Sequence, residues 1–340
     1  MKFVKTLLCL TLAILSISFI GCKSDATTTF YSKNLAYELN SGGEFYSVTG
    51  IGACVDKEII IPSILDDIPV KIISDEAFKG CNFITKVTIP DSITKIGDKA
   101  FAECKELSEV QLPSNLMTIP TSCFEMCSNL EKINLPQTLT EINDSAFTKC
   151  SLKHLVIPNS VKELGSNVFA YCSKLEDVSL SENLTIINDF LFIGCNSLRE
   201  VTLPSNIKSI GKQAFSSCSS LKRISMSNNI RTLGNSAFSN CENLESIKIP
   251  DSITDIPANA FYSCKNLKDV EMSQSLFYIG DYAFYECDKL ENVKFKNTNN
   301  WFYVTQSSYF SIKSEGLSDS KTAASVIKEC STGAWIRKTT

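Results

Sequence analysis

Thiols are the most versatile reactive groups in this sequence: there are fifteen cysteines and a single histidine, His154. Ten of the cysteines keep a fixed interval. Cys81, Cys104, Cys127, Cys150, Cys172, Cys195, Cys218, Cys241, Cys264 and Cys287 are 23 residues apart, except for one step of 22 between Cys150 and Cys172. Such thiols could be paired, could hold a metal or could be free. A disulfide wants Cβ atoms roughly 3.5–4.5 Å apart. Side chains repeated at a fixed period in stacked parallel coils point the same way, at a spacing of about 4.8 Å. A metal wants a tetrahedral cluster, and a straight column of thiols offers none. The spacing therefore reads as a column of free thiols that act as small buried hydrophobes. Cys54, Cys123 and Cys330 lie off the column.

His154 has no second histidine with which to build a two-His metal site. No G-x-S-x-G, G-x-G-x-x-G or P-loop motif is present. A hydrolase built on a Ser–His–Asp arrangement ranks last among the readings. His154 reads as a solvated strand residue, and no catalytic residue, metal ligand or cofactor is expected. The formal charge is −4, and loss of residues 1–21 with Lys2 and Lys5 makes it −6. That balance argues against a nucleic-acid partner, which favours a basic face.

The elements that carry these residues repeat with them. Phe78, Phe101, Phe124, Phe147, Phe169, Phe192, Phe215, Phe238, Phe261 and Phe284 stand three residues ahead of the cysteines. The phrase IPDSIT occurs at 89–94 and again at 249–254, seven periods apart less the one residue missing between Cys150 and Leu152. A period of this size means a solenoid or array. Within one unit, Val110 and Leu112 alternate with Glu109 and Gln111, which is a strand with one buried face. Pro113 ends it. Leu116 and Ile119 form an extended return. A Gly, Asn or Pro follows in each unit (Gly97, Pro120, Asn143), and Pro shows that the position does not require positive φ. Next comes an Asp, Ser, Thr or Asn in most units, read as the N-cap of a short helical turn that carries Phe inward.

About ten such coils stack into a body roughly 50 Å long, a leucine-rich repeat horseshoe with a parallel sheet on its concave face. Residues 59–295 form the array, 36–58 an N-terminal hairpin cap, and 296–340 a C-terminal cap with a short helix near 320–330. The first outward column of the sheet reads Lys86, Glu109, Lys132, His154, Asp177, Glu200, Arg223, Ser246, Asp269 and Asn292. Its mixed signs support cross-strand neutralisation and equally a protein-binding surface. Lys86, Glu109, Lys132, His154, Asp177, Glu200, Arg223 and Asp269 are its candidate contact residues. Aromatic residues concentrate from Tyr262 to Phe310 and read as a cap over the last coil.

The chain opens with Lys2, Lys5 and an apolar run at 6–20, a secretory signal too short to span a membrane. Gly21–Cys22 and a polar segment to residue 35 follow. This resembles a bacterial lipoprotein signal, with Cys22 lipidated and 22–35 a tether, although Phe19 and Ile20 relax the usual pattern.

The unit LxxVxIPxSIxxIGxxAFxxC, repeated over 59 to about 295, resembles the BspA-like leucine-rich repeat family. The resemblance implies a horseshoe-shaped solenoid of a bacterial surface protein. It implies protein ligands: host matrix proteins such as fibronectin and fibrinogen, or other bacteria. The expected function is a lipid-anchored envelope protein that binds proteins, with a periplasmic scaffold as the alternative.

Overall fold

The computed structural model describes residues 31–305 and 308–338. Cys22 and the signal segment lie outside the described residues.

Each coil contributes two short strands and a turn ribbon. The first strands pair in parallel, residue above residue: Lys86–Thr88 with Glu109–Gln111, His154–Val156 with Asp177–Ser179, and Glu200–Thr202 with Arg223–Ser225. Ser246–Lys248, Asp269–Glu271 and Asn292–Lys294 continue the series. Val87, Val110, Leu155, Val178, Val201, Ile224 and Ile247 point into the core, and the alternate residues face out. The extended return also forms two-residue parallel strands, such as Thr118–Ile119 beside Glu141–Ile142. This second ladder stops where the donor is lost. Gly97 N–H donates to Ile73 O and Gly280 N–H to Ile256 O. Pro120 and Pro257 have no N–H to give, and pairing between return strands is interrupted at both. At Asn188 the side-chain amide reaches Leu164 O instead. The Gly–Asn–Pro position is thus a ladder-donor position.

On the third side the ten phenylalanines form one continuous stack, all fully buried. Neighbouring ring centroids lie 5.1–5.8 Å apart with planes within 17° of parallel. The backbone around them is a ribbon of turns, not a helix. Ala102 N–H closes on Lys99 O, and alternate N–H groups run along the stack, as from Phe78 to Ala100 O at 2.7 Å. Alternating left-handed residues, such as Lys99 at φ 56° and Glu103 at φ 62°, aim those groups between coils. The aspartates expected as helix caps therefore serve the next coil. Asp75 Oδ1 accepts from Asp98 N–H at 2.9 Å, Asp144 from Ser166 at 2.7 Å and Asp189 from Lys212 at 2.7 Å.

Added segments extend or cover both ends of the array, so the core of the end coils is not left open. The hairpin Ala36–Leu39 and Tyr46–Gly50 adds to the strand Ile68–Ile73. Residues 31–35, placed in the tether by sequence, are part of the body: Ser32 bonds both Ile60 and Glu58, and Leu35 is buried. At the other end, Ala334–Arg337 pairs antiparallel with Tyr278–Ile279, and Trp301–Val304 pairs with it in turn. Phe295, Trp301 and Trp335 pack together beneath them. Helix α1 (Ser314–Ser318) leads into helix α2 (Ser320–Glu329), which lies against Asn292–Lys294, the last strand of the first sheet. Asp319 caps α2, accepting from Thr322 N–H at 2.9 Å.

Candidate functional site

The thiol column has a structural role that burial alone does not describe. Each thiol from Cys104 to Cys287 donates to the carbonyl of the phenylalanine one coil back: Cys104 to Phe78 at 3.0 Å, Cys195 to Phe169 at 3.2 Å, Cys287 to Phe261 at 3.2 Å. That carbonyl already accepts from the amide of its own coil's cysteine, as Phe169 O does from Cys172 N–H. The S–H thus satisfies a second lone pair on a buried acceptor, a donor role that a purely apolar reading of cysteine misses. Burial raises the thiols well above their ordinary range, with Cys104, Cys172 and Cys287 pushed up to about 12. Protonated and donating, they are not nucleophiles. All thirteen described cysteines are free. Among the described residues no group of His, Cys, Asp and Glu is arranged to hold a metal.

The strand face is different in kind. Glu109, Lys132, His154, Asp177, Glu200, Arg223 and Asp269 project to solvent in one line, and Lys86 is half-buried at its end. Register brings consecutive members of the laddered pairs together. Lys86 Nζ and Glu109 Oε1 are 2.8 Å apart. Their hydrogen bond, with the charge attraction behind it, holds the Lys86 ammonium above and the Glu109 carboxyl below their usual ranges. His154 Nδ1 lies 2.5 Å from Asp177 Oδ2, both well exposed. The pair orients an imidazole, yet among the described residues no hydroxyl or thiol is hydrogen-bonded to the ring. Asp269 accepts from Asn292 at 2.8 Å. Glu200 and Arg223 are register partners without an ion pair between them.

A neighbouring column, just ahead of the strands, carries charges that the alternation pattern does not single out. Glu131 meets Lys153 at 3.8 Å and Lys174 at 3.5 Å, and Glu176 meets Arg199 at 3.5 Å. The face is therefore broader than one column, solvated, and mixed in sign. At its C-terminal end, Lys296 bridges Asp251 and Glu271 at 2.8 and 3.2 Å and ties the cap to the sheet. An extended polar sheet of this kind can grip a macromolecule.

The family model for the BspA type leucine rich repeat region matches residues 54–176 and 185–315, in six copies. The chain belongs to this family. Among solved structures, a leucine-rich repeat protein from Bacteroides ovatus is similar over 78% of this chain and 88% of that one, at 24% identity and a TM-score of 0.60. The pneumococcal vaccine antigen PcpA is similar over 82% of this chain and 84% of that one, at 21% identity and a TM-score of 0.52. At these identities the likeness establishes the solenoid fold. A comparison with curated proteins found no match. BspA-type repeats make a family of bacterial surface proteins, and the family suggests protein binding.

Proposed function

We propose that this is a lipid-anchored protein of the bacterial cell envelope that binds proteins through its strand face. The ligand class is a host matrix protein or the surface of another bacterium, and Cys22 carries the lipid. The observation behind this reading is the outward column. Its side chains are not needed to fill the core, yet seven of its residues from Glu109 to Asp269 are charged or ionisable and solvent-exposed, on a rigid backbone. A rigid scaffold that displays variable polar residues in register is suited to recognition, because little ordering is left to be lost on binding. The contact residues are Lys86, Glu109, Lys132, His154, Asp177, Glu200, Arg223 and Asp269. Mixed charge implies modest affinity that weakens with salt.

The test is a binding assay of the lipid-free protein against fibronectin, fibrinogen and whole bacteria, with charge reversal at Asp177 and Glu200 together. Reduced binding with an unchanged melting temperature is the expected result. No binding to any of these, combined with resistance to protease on intact cells, would favour a periplasmic scaffold. Separately, Cys22→Ser should abolish lipid labelling and release the protein to the soluble fraction.

A further inference from the structure

The residue missing between Cys150 and Leu152 leaves a mark on the strand face. Elsewhere two residues separate the column cysteine from the next buried leucine or isoleucine; here only Ser151 does. The first sheet is interrupted at three places, before His154, Glu200 and Ser246. The second and third interruptions each keep a backbone bond, Arg199 N–H to Glu176 O and Glu245 N–H to Lys222 O. At the first, none joins 131–135 to 153–157. The strand at Lys132–Ile133 has only two residues and pairs on one side alone.

An open groove of about 680 Å³ lies at this break, lined by Glu109, Gln111, Glu131, Lys132, Asn134, Lys153 and His154. It is too narrow for an added strand. On the turn side of the same two coils Phe147 and Phe169 remain 5.8 Å apart, whereas an inserted strand needs two spacings of about 4.8 Å. A side chain is the occupant that fits. The charges select which. Glu109 is held by Lys86, Lys153 by Glu131 and His154 by Asp177. Lys132 is left without an ion-pair partner among the described residues, since Glu109, its register neighbour, is engaged from the other side. Gln111 and Asn134, both exposed, flank it with amide groups.

We propose that this groove is the specificity site of the strand face and takes an acidic side chain, Asp or Glu, from a protein ligand, with Lys132 as its counter-charge. This rests on the reading of the strand face as a protein-binding surface. An ammonium without an ion-pair partner, with flanking amides, matches a single carboxylate, and no arginine fork is present in the groove for a phosphate.

The experiment uses fluorescent peptides of alternating glycine with Glu, Gln or Lys, titrated into the lipid-free protein. Two variants accompany the wild type: Lys132→Gln, and an Asn inserted after Ser151 to restore the regular spacing. The wild type should bind the Glu peptide roughly tenfold better than the Gln peptide at low salt, and least well the Lys peptide. Both variants should lose that preference, while Lys268→Gln should keep it. Equal binding of Glu and Gln peptides by the wild type, or a preference that survives in Lys132→Gln, overturns the proposal, whether or not the insertion variant folds. Matrix-protein binding that survives both variants leaves the strand-face reading standing and removes this one. A Glu preference with no matrix-protein binding removes only the choice of ligand.

Discussion

The short repeat tests two sides of the same coils, and they respond differently. On the turn side the stack runs through it: Phe147 and Phe169 stay parallel within 5°, and Phe147 N–H still reaches Val168 O at 3.0 Å. On the strand side the ladder opens between Lys132–Ile133 and His154–Val156. The turn side is bound by ring stacking, by alternate backbone bonds and by a thiol bond, Cys172 to Phe147 O at 3.1 Å. The strand side has a short ladder and side chains that face water. Where bonds are dense, a missing residue is pushed elsewhere; where they are sparse, it becomes surface shape.

If that contrast is right, the greatest perturbation is one that strikes the thiol column as a whole. Unfolded thiols lose their protons above an ordinary value of 9.0, while folded Cys172 holds its proton to about 12. The unfolded chain therefore binds fewer protons in that window, and stability falls as pH rises from about 9 towards 12. Each unit of difference is worth about 1.4 kcal/mol per thiol, so the thiols together weigh against a net stability that is usually about 5–15 kcal/mol. Thiolate absorbance and loss of circular dichroism should rise together. Thiolates forming near pH 9 in a folded protein would contradict the account.

Single substitutions on the turn side come next. Phe215→Ala should cost about 3–5 kcal/mol in chemical denaturation, since the ring is fully buried between Phe192 and Phe238. Cys195→Ala should cost about 1–3 kcal/mol, because Phe169 O loses one of its two donors in a dry interior. If both mutants were near neutral, the turn side would not be the stronger half. Asp189→Ala removes an exposed acceptor for Lys212 N–H and should cost about 0.5–1.5 kcal/mol.

The smallest effect is expected on the strand face. Arg223→Gln should leave the melting temperature unchanged within error, because the side chain makes no ion pair with Glu200 and surface changes away from special features usually fall within about 0.5 kcal/mol. Its effect should show in ligand binding and its salt dependence instead. A large stability loss there would mean that the column is structural.

The Phe and Cys periods, the outward column from Lys86 to Asn292 and the missing residue at 150–152 were all legible in the sequence, because each is a matter of spacing along the chain. A 23-residue period stacks like upon like, and alternation about Val110 decides which side chains face water. What lay beyond it were bonds between coils, whose partners sit 22 to 26 residues away. Asp144 looks like a helix cap until Ser166 N–H is seen above it. Cys195 looks like a small hydrophobe until Phe169 O is found 3.2 Å from its sulfur. Lys132 looks no different from Lys86 until one is seen ion-paired and the other beside an open groove. Composition and period determined that a solenoid would form and which residues would line each side. Only the stacked structure decided which donor met which acceptor, because hydrogen bonds and ion pairs are made at about 3 Å across coils, a distance that sequence spacing does not encode.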